Sequence, residues 1–176
     1  MIRDLSKFSD SYDRGRGLAI CALWFAVQHI VFKKWWFPAG LRPRILQLFG
    51  AKVGKKVLIR HDVRIMWPWK LEIGDDCWIG ESAWIINVVE VSIGSNVCIS
   101  QSAVICSGSH DLQTEELAYK NAPIRICDGA WVALRGTVLA GASLMENSVV
   151  AAGEVLAGRL EANHILVGGE VRRVNY

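Results

Sequence analysis

Ile73-Gly-Asp-Asp-Cys-Trp-Ile79-Gly-Glu-Ser-Ala-Trp-Ile85-Ile-Asn-Val-Val-Glu-Val91 places an aliphatic residue at every sixth position. The spacing extends backwards through Val53, Ile59, Ile65 and Leu71 and, after steps of two residues, forwards through Ile93, Ile99 and Ile105. A third run is Ile126, Val132, Val138, Leu144, Val150 and Leu156. Gly or another small residue often follows the aliphatic: Gly54, Gly74, Gly80, Gly94, Ala133, Ala151, Ala157. Four positions after the aliphatic comes a small or compact residue: Val57, Val63, Cys77, Ala83, Val97, Ala103, Ser109, Ala130, Gly136, Ala142, Ser148. Ordinary antiparallel strands repeat every second residue and do not produce a sixfold recurrence. A triangular coil does. Each coil has three short strands, each sending one aliphatic inward, with small residues where stacked backbones approach. One coil cannot pair its own backbone, so coils must stack, and the stack builds the core. The pattern predicts a mainly β chain: a parallel β-helix of hexapeptide repeats over 53–160, with the two-residue steps as corner bulges.

Residues 1–52 read as an N-terminal helical segment, with helices at Leu18–Phe32 and Leu41–Phe49 separated by Pro38-Ala-Gly40. Residues 161–176 read as a short tail carrying Arg172 and Arg173. The apolar run Leu18–Phe32 is shorter than the roughly 20 residues of a membrane span and is interrupted by Gln28 and His29. Two readings stand for it. One is a helix buried against the rest of the domain. The other is peripheral membrane contact through 18–37, with Trp35, Trp36, Lys33, Lys34, Arg14 and Arg16 at headgroup level.

Hydrophobic residues make up 52% of the chain and charged residues 21%, a globular composition that excludes a disordered chain. A net charge of +3 is too small to point to nucleic acid. Five cysteines (Cys21, Cys77, Cys98, Cys106, Cys127) show no metal or redox spacing. With no secretory signal pattern at the start, they predict a reducing, cytoplasmic setting.

The repeat fails once. Residues 111–123 (DLQTEELAYKNAP) are polar and aperiodic, a loop thrown out of the coil and long enough to suggest function. Of the four histidines, only His110 stands at this break, where an imidazole can serve as a general base. On its own, a lone histidine is equally a satisfied surface or core residue.

Gly108-Ser-His110-Asp111, the loop, and then Asp128-Gly-Ala-Trp131-Val-Ala133 resemble the hexapeptide acyltransferase superfamily. Further segments make the chain similar to colanic-acid-type exopolysaccharide acetyltransferases over nearly its whole length. They are Tyr12-Asp-Arg-Gly-Arg-Gly17, Leu48-Phe-Gly-Ala-Lys-Val-Gly54, Trp67-Pro-Trp-Lys-Leu-Glu-Ile-Gly74, Trp78-Ile-Gly-Glu81 and Ile93-Gly-Ser-Asn-Val-Cys-Ile-Ser-Gln101. The resemblance implies a left-handed coil and a homotrimer with acetyl-CoA in the groove between neighbouring subunits. It implies His110 as the base on a saccharide hydroxyl, with the acceptor lipid-linked or nucleotide-linked. A backbone N–H would hold the oxyanion, with no covalent intermediate and no metal. Asp111 would support the loop or the imidazole. Trp131, Ala133, Leu134, Ala151 and Ala152 fall where relatives line the cofactor groove, Arg172 where a cation meets the nucleotide phosphates, and Asn87 where relatives meet the acceptor. Two departures stand out: Ile86 replaces a polar neighbour of Asn87, and the tail lacks the family's prolines. An N-acetyltransferase acting on an amino sugar or other amine, a non-catalytic trimeric scaffold, and a metal hydratase of the γ-carbonic-anhydrase kind remain as alternatives. The last requires several zinc-ligating histidines, and His61 and His164 lie far from His110 in the repeat order.

Overall fold

The structure, a computed structural model, describes residues 3–9 and 12–174. The chain winds into the expected left-handed parallel β-helix with three faces. The first face stacks Lys52–Val53, Leu71–Ile73, Val91–Ile93, Ile124–Ile126, Ser143–Leu144 and Arg159–Leu160. The second stacks Leu58–Ile59, Trp78–Ile79, Cys98–Ile99, Trp131–Val132, Val149–Val150 and His164–Val167. The third stacks Arg64–Ile65, Trp84–Ile86, Val104–Cys106, Thr137–Val138 and Val155–Leu156. The register aligns the aliphatic of each coil over that of the next. Ile59, Ile79, Ile99, Val132, Val150 and Leu166 form one such column, and Ile65, Ile85, Ile105, Val138 and Leu156 another. All are buried. The coil therefore runs one strand past Leu160, and the chain folds back as the antiparallel strand Glu170–Arg173. Part of the predicted tail is β-helix.

The compact residues at the fourth position are buried inside the corners, as Ala83, Ala103, Ala130 and Ala142 show. Ser109 departs from this pattern because the loop has already left the coil at Ser107. Gly80 shows why a small residue follows the aliphatic. A Cβ there would lie 2.6 Å from the Gln101 nitrogen and 2.7 Å from the Ser100 carbonyl carbon in the next coil. The residue three after the aliphatic carries the turn in the left-handed region: Asp62, Asp76, Ser82, Asn96, Ser102, Arg135 and Asn147 have φ between 54° and 59°. Short polar side chains tolerate this conformation best. Asp, Asn or Ser at this position is a third periodic feature of the sequence, with Arg135 the exception among these.

The two-residue steps fall at a corner, with the strands on either side still in register. Leu71 and Ile73, and likewise Val91 and Ile93, lie in three-residue strands with both aliphatics inward. The extra length goes to one corner, between the third and first faces. Register partners Glu72 and Ser92 are twenty residues apart, whereas Arg125 and Ser143 are eighteen apart.

The N-terminal segment closes the open end of the coil, where the first strand of each face has an unpaired edge. Helix α1 (Leu18–Val27) continues through a π-helical turn, Gln28–Phe32, and buries Cys21, Trp24, Gln28 and Phe32. Gln28 Oε1 accepts the Ile65 N–H at 2.7 Å and Trp24 Nε1 donates to the Ile65 carbonyl at 3.0 Å, sealing the third face. Arg42, buried at the start of helix α2 (Arg42–Leu48), donates to the Ile59 carbonyl of the second face at 3.2 Å. Gln47 donates to the Val53 carbonyl of the first face at 2.8 Å. Each edge thus finds a polar partner, as buried or edge backbone groups require. Gln28, which interrupts the apolar run, is one of the seals. Among the described residues, no helix is long and apolar enough to cross a membrane.

Candidate active site

The corner between the third and first faces throws out Ser107–Pro123. This segment is a narrow antiparallel arm. Ala122 N–H donates to Ser107 O at 3.1 Å, Lys120 N–H to Ser109 O at 2.8 Å and Asp111 N–H to Ala118 O at 2.8 Å. The rungs pair His110 with Tyr119. At the turn, Leu117 adopts φ 52°, a conformation disfavoured by about 1–2 kcal/mol for a branched L-residue. Its carbonyl lies 2.7 Å from His110 Nδ1. A carbonyl only accepts, so Nδ1 carries the proton and the neutral ring presents its lone pair at Nε2. The imidazole is solvent-exposed. It stacks on Tyr119 (centroids 5.1 Å, 26° between planes), and Phe8 lies 5.7 Å away. The ring is thus held by one hydrogen bond and two aromatic contacts, and Nε2 has no hydrogen-bond partner among the described residues.

Asp111 orients the arm. Its carboxylate accepts the Gln113 N–H at 2.9 Å and lies 3.9 Å from the Lys120 ammonium, while Leu117 O holds the imidazole. Asn121 Oδ1 accepts the Ser109 N–H at 3.1 Å and ties the arm's base. Beneath it, the same corner of the two preceding coils forms a platform crossed by residues 12–16 of the N-terminal segment. Trp69 Nε1 donates to Arg14 O at 2.6 Å, and the Lys70 ammonium bonds Asp13 O and Val88 O. Between these elements opens a cavity of about 460 Å³ lined by Tyr12, Asp13, Arg16, Trp69, Lys70, Glu90 and Asn121, among others. Tyr12 contacts Tyr119 (5.4 Å), so the cavity adjoins the histidine arm.

Asn87 lies in the same corner but is fully buried. Its amide oxygen accepts the Trp67 N–H at 3.0 Å and its amide nitrogen donates to the Trp67 carbonyl. The expected acceptor contact meets a side chain with both ends engaged and no exposed surface. In this fold Asn87 closes the platform.

The residues expected around the cofactor gather on other parts of the prism. Trp131 is half-exposed on the second face, its Nε1 donating to Ser100 Oγ at 2.8 Å. Ala133 and Leu134 turn the corner between the second and third faces, and Ala151 and Ala152 turn it one coil on. Their backbone groups are partly committed to the stack, with Ala133 N–H on Val150 O and Ala151 N–H on Leu166 O. Arg172 is exposed on the last strand and pairs with Glu170 at 2.9 Å. Within one chain, the third face separates this corner from the one that carries His110. Among the described residues, no three His, Cys, Asp or Glu side chains are grouped to hold a metal. His61 instead pairs with Glu81 at 3.1 Å.

No family model matches the chain. It is 37% identical over 171 residues to WcaF of Escherichia coli (strain K12), a protein named as a colanic acid biosynthesis acetyltransferase, covering 95% of this chain and 93% of the relative. The chain belongs to the hexapeptide-repeat acetyltransferases. Solved structures agree on the fold. The hexapeptide-repeat acetyltransferase VCA0836 of Vibrio cholerae, complexed with acetyl-CoA, superposes with a TM-score of 0.80 at 19% identity, covering 92% of this chain and 90% of that one. A maltose O-acetyltransferase from Clostridium difficile 630 superposes with a TM-score of 0.79 at 18% identity, covering 94% and 92%.

Around His110 stand residues that no repeat position marks: Leu117, Tyr119, Phe8 and Asn121. Three sit in aperiodic sequence and the fourth more than a hundred residues upstream, so no spacing marked them. The one available signal was an aromatic, Tyr119, nine positions after His110 in an otherwise polar loop.

Proposed function

We propose that the protein is an acetyl-CoA-dependent O-acetyltransferase acting on a sugar hydroxyl in polysaccharide or glycolipid biosynthesis, with His110 as general base. The observation that carries this reading is the Nδ1 hydrogen bond to the Leu117 carbonyl, which makes Nε2 the acceptor on an exposed, stacked imidazole. In the reaction, Nε2 takes the hydroxyl proton as the oxygen attacks the thioester carbonyl. A backbone N–H holds the tetrahedral oxyanion, which collapses with loss of the CoA thiolate, and the imidazolium returns the proton to that sulfur. The acceptor is proposed to occupy the cavity beside the arm, whose Trp69 ring and mixed charges suit a polyol.

The CoA is assigned to a groove completed by a second subunit of a homotrimer, with Trp131, Ala133, Leu134, Ala151 and Ala152 along it and Arg172 at the phosphate end. The separation of this corner from His110 within one chain supports the reading, since a neighbouring copy is what would bring the two together. A reducing, cytoplasmic setting accords with five unpaired cysteines among the described residues.

The test is incubation of the purified protein with acetyl-CoA and a panel of saccharide and amine acceptors, read by mass spectrometry. An acetyl ester on a saccharide is expected, together with a trimeric mass in solution. Acetylation of amines alone would replace the proposal with N-acetyl transfer.

A further inference from the structure

We propose that the N-terminal cap is a docking surface for an anionic lipid bilayer. The proposal goes beyond acetyl transfer and rests on the outer side of the cap, which the coil does not use. Helix α1 and the turn after it bury Cys21, Trp24, Gln28 and Phe32 as one stripe. A helix packed on a domain ordinarily shows polar residues on its other side. Here that side carries Ala19, Leu23, Ala26 and Ile30, all exposed, and no charged residue occurs from Leu18 to Phe32. Leu41 just before α2, and Arg44 and Leu48 within it, are exposed and share one face by their spacing of three and four, with Leu48 86% exposed. Half of the large exposed hydrophobic side chains among the described residues fall between Leu18 and Leu48.

Between the two helices, Trp35 and Trp36 project into solvent, 80% and 55% exposed. Their turn is pinned from beneath. Arg42 donates to Phe32 O at 2.8 Å and to Lys34 O at 2.7 Å, and the Asp62 N–H donates to Lys33 O at 2.8 Å. The two indoles are thus presented by a braced turn, and little ordering remains to be paid on contact with a surface.

Charge selects the occupant. Residues 14–61 contain ten Lys and Arg and no Asp or Glu, while the rest of the chain holds all seventeen acids and the other ten cations. Three of the ten pair with acids folded against them (Lys33–Asp62, Lys52–Glu72, Lys56–Asp76) and Arg42 is buried, so the net charge of +3 conceals an excess of positive charge at this end carried by Arg14, Arg16, Lys34, Arg44, Lys55 and Arg60. A second copy of this chain would bring the same charge to the same apolar face, which opposes self-association there. An anionic bilayer meets both features: apolar side chains and Trp enter the interface, and Lys34 and Arg44 meet the headgroups.

The test is flotation of the full-length protein with vesicles of phosphatidylcholine alone and with vesicles containing phosphatidylglycerol. Neither an acceptor nor acetyl-CoA is present, so the outcome is independent of the acetyl-transfer proposal. Binding is expected on the anionic vesicles and should weaken with salt. The double variant Trp35→Ala/Trp36→Ala should bind about tenfold or more weakly. Lys34→Glu/Arg44→Glu should lose at least about fivefold per charge on anionic vesicles. Circular dichroism on each variant verifies that the coil is intact. Failure of the wild type to float with anionic vesicles overturns the proposal. So does a Leu23→Gln variant that lowers the assembly mass without lipid, because the face is then a contact between copies.

Discussion

Between its second and third faces the chain turns in four residues in every coil: 60–63, 80–83, 100–103, 133–136 and 151–154. Between the third and first faces the turns run 66–70, 87–90, 107–123, 139–142 and 157–158. The first corner is locked from above and below. Its third residue is left-handed in each coil (Asp62, Ser82, Ser102, Arg135, Gly153), and Gly80 leaves no room for a Cβ. The second corner varies from two residues to seventeen. The segments 66–70 and 87–90 form a platform, and above them the longest segment leaves the coil and is tied at its base by Asn121 and Ala122. Loop closure costs little per added residue, so the arm burdens the fold only slightly. The regular corner therefore carries stability, and the irregular one carries the candidate chemistry.

The largest effect should come from the irregular corner and leave stability alone. His110→Ala is expected to lower kcat about 10²–10⁴-fold, the usual contribution of a general base, with an unchanged denaturation midpoint. Near-normal turnover in that variant would remove His110 from the mechanism. The regular corner should show the reverse. Gly80→Ala pushes a methyl group into the backbone of the next coil and should cost about 3 kcal/mol in chemical denaturation, with kcat preserved in the folded fraction.

Asn87→Leu distinguishes platform from acceptor site. It leaves the Trp67 N–H and carbonyl without partners and should cost about 2 kcal/mol with no change in acceptor KM. A raised KM at unchanged stability would assign Asn87 to the acceptor instead.

The smallest effect concerns the joint between the regular corner and the cap. Burial works to raise the Asp62 pKa, but the Ser82 hydroxyl at 3.0 Å and the Lys33 ammonium at 3.2 Å outweigh it and hold the carboxyl below its ordinary value. A depressed folded pKa stabilises at all pH values above the unfolded value of about 3.9, and this is lost as pH falls through the folded value. The pair is half-exposed, so the loss should be under about 1 kcal/mol. Asp62→Asn should flatten this part of the acid limb in a pH series of thermal melts.

The coil was legible because its period is a property of the chain itself. Each inward aliphatic at Ile59, Ile79 or Ile99 must appear at a fixed spacing, or the next coil cannot stack on it. The candidate base was legible for the converse reason: His110 marks the place where the period stops. The two-residue steps were visible, but spacing alone does not show which corner takes them or that Leu71 and Ile73 both face inward, because that depends on the coils stacked above and below. The role of Asn87 was likewise hidden, because an amide in a corner reads the same whether it faces solvent or clamps the coil below.

Sequence by itself thus determined the β-helix, its helical cap and the placing of one histidine at one break, all of them local or periodic features of the chain. Only the tertiary structure decided which nitrogen of His110 is free, that Phe8 and Tyr119 frame it, and that Gln28, Arg42 and Gln47 seal the three sheet edges. Those pairings join residues without a common spacing. Their partners are chosen by the need to satisfy backbone groups that only the stacked coil leaves exposed.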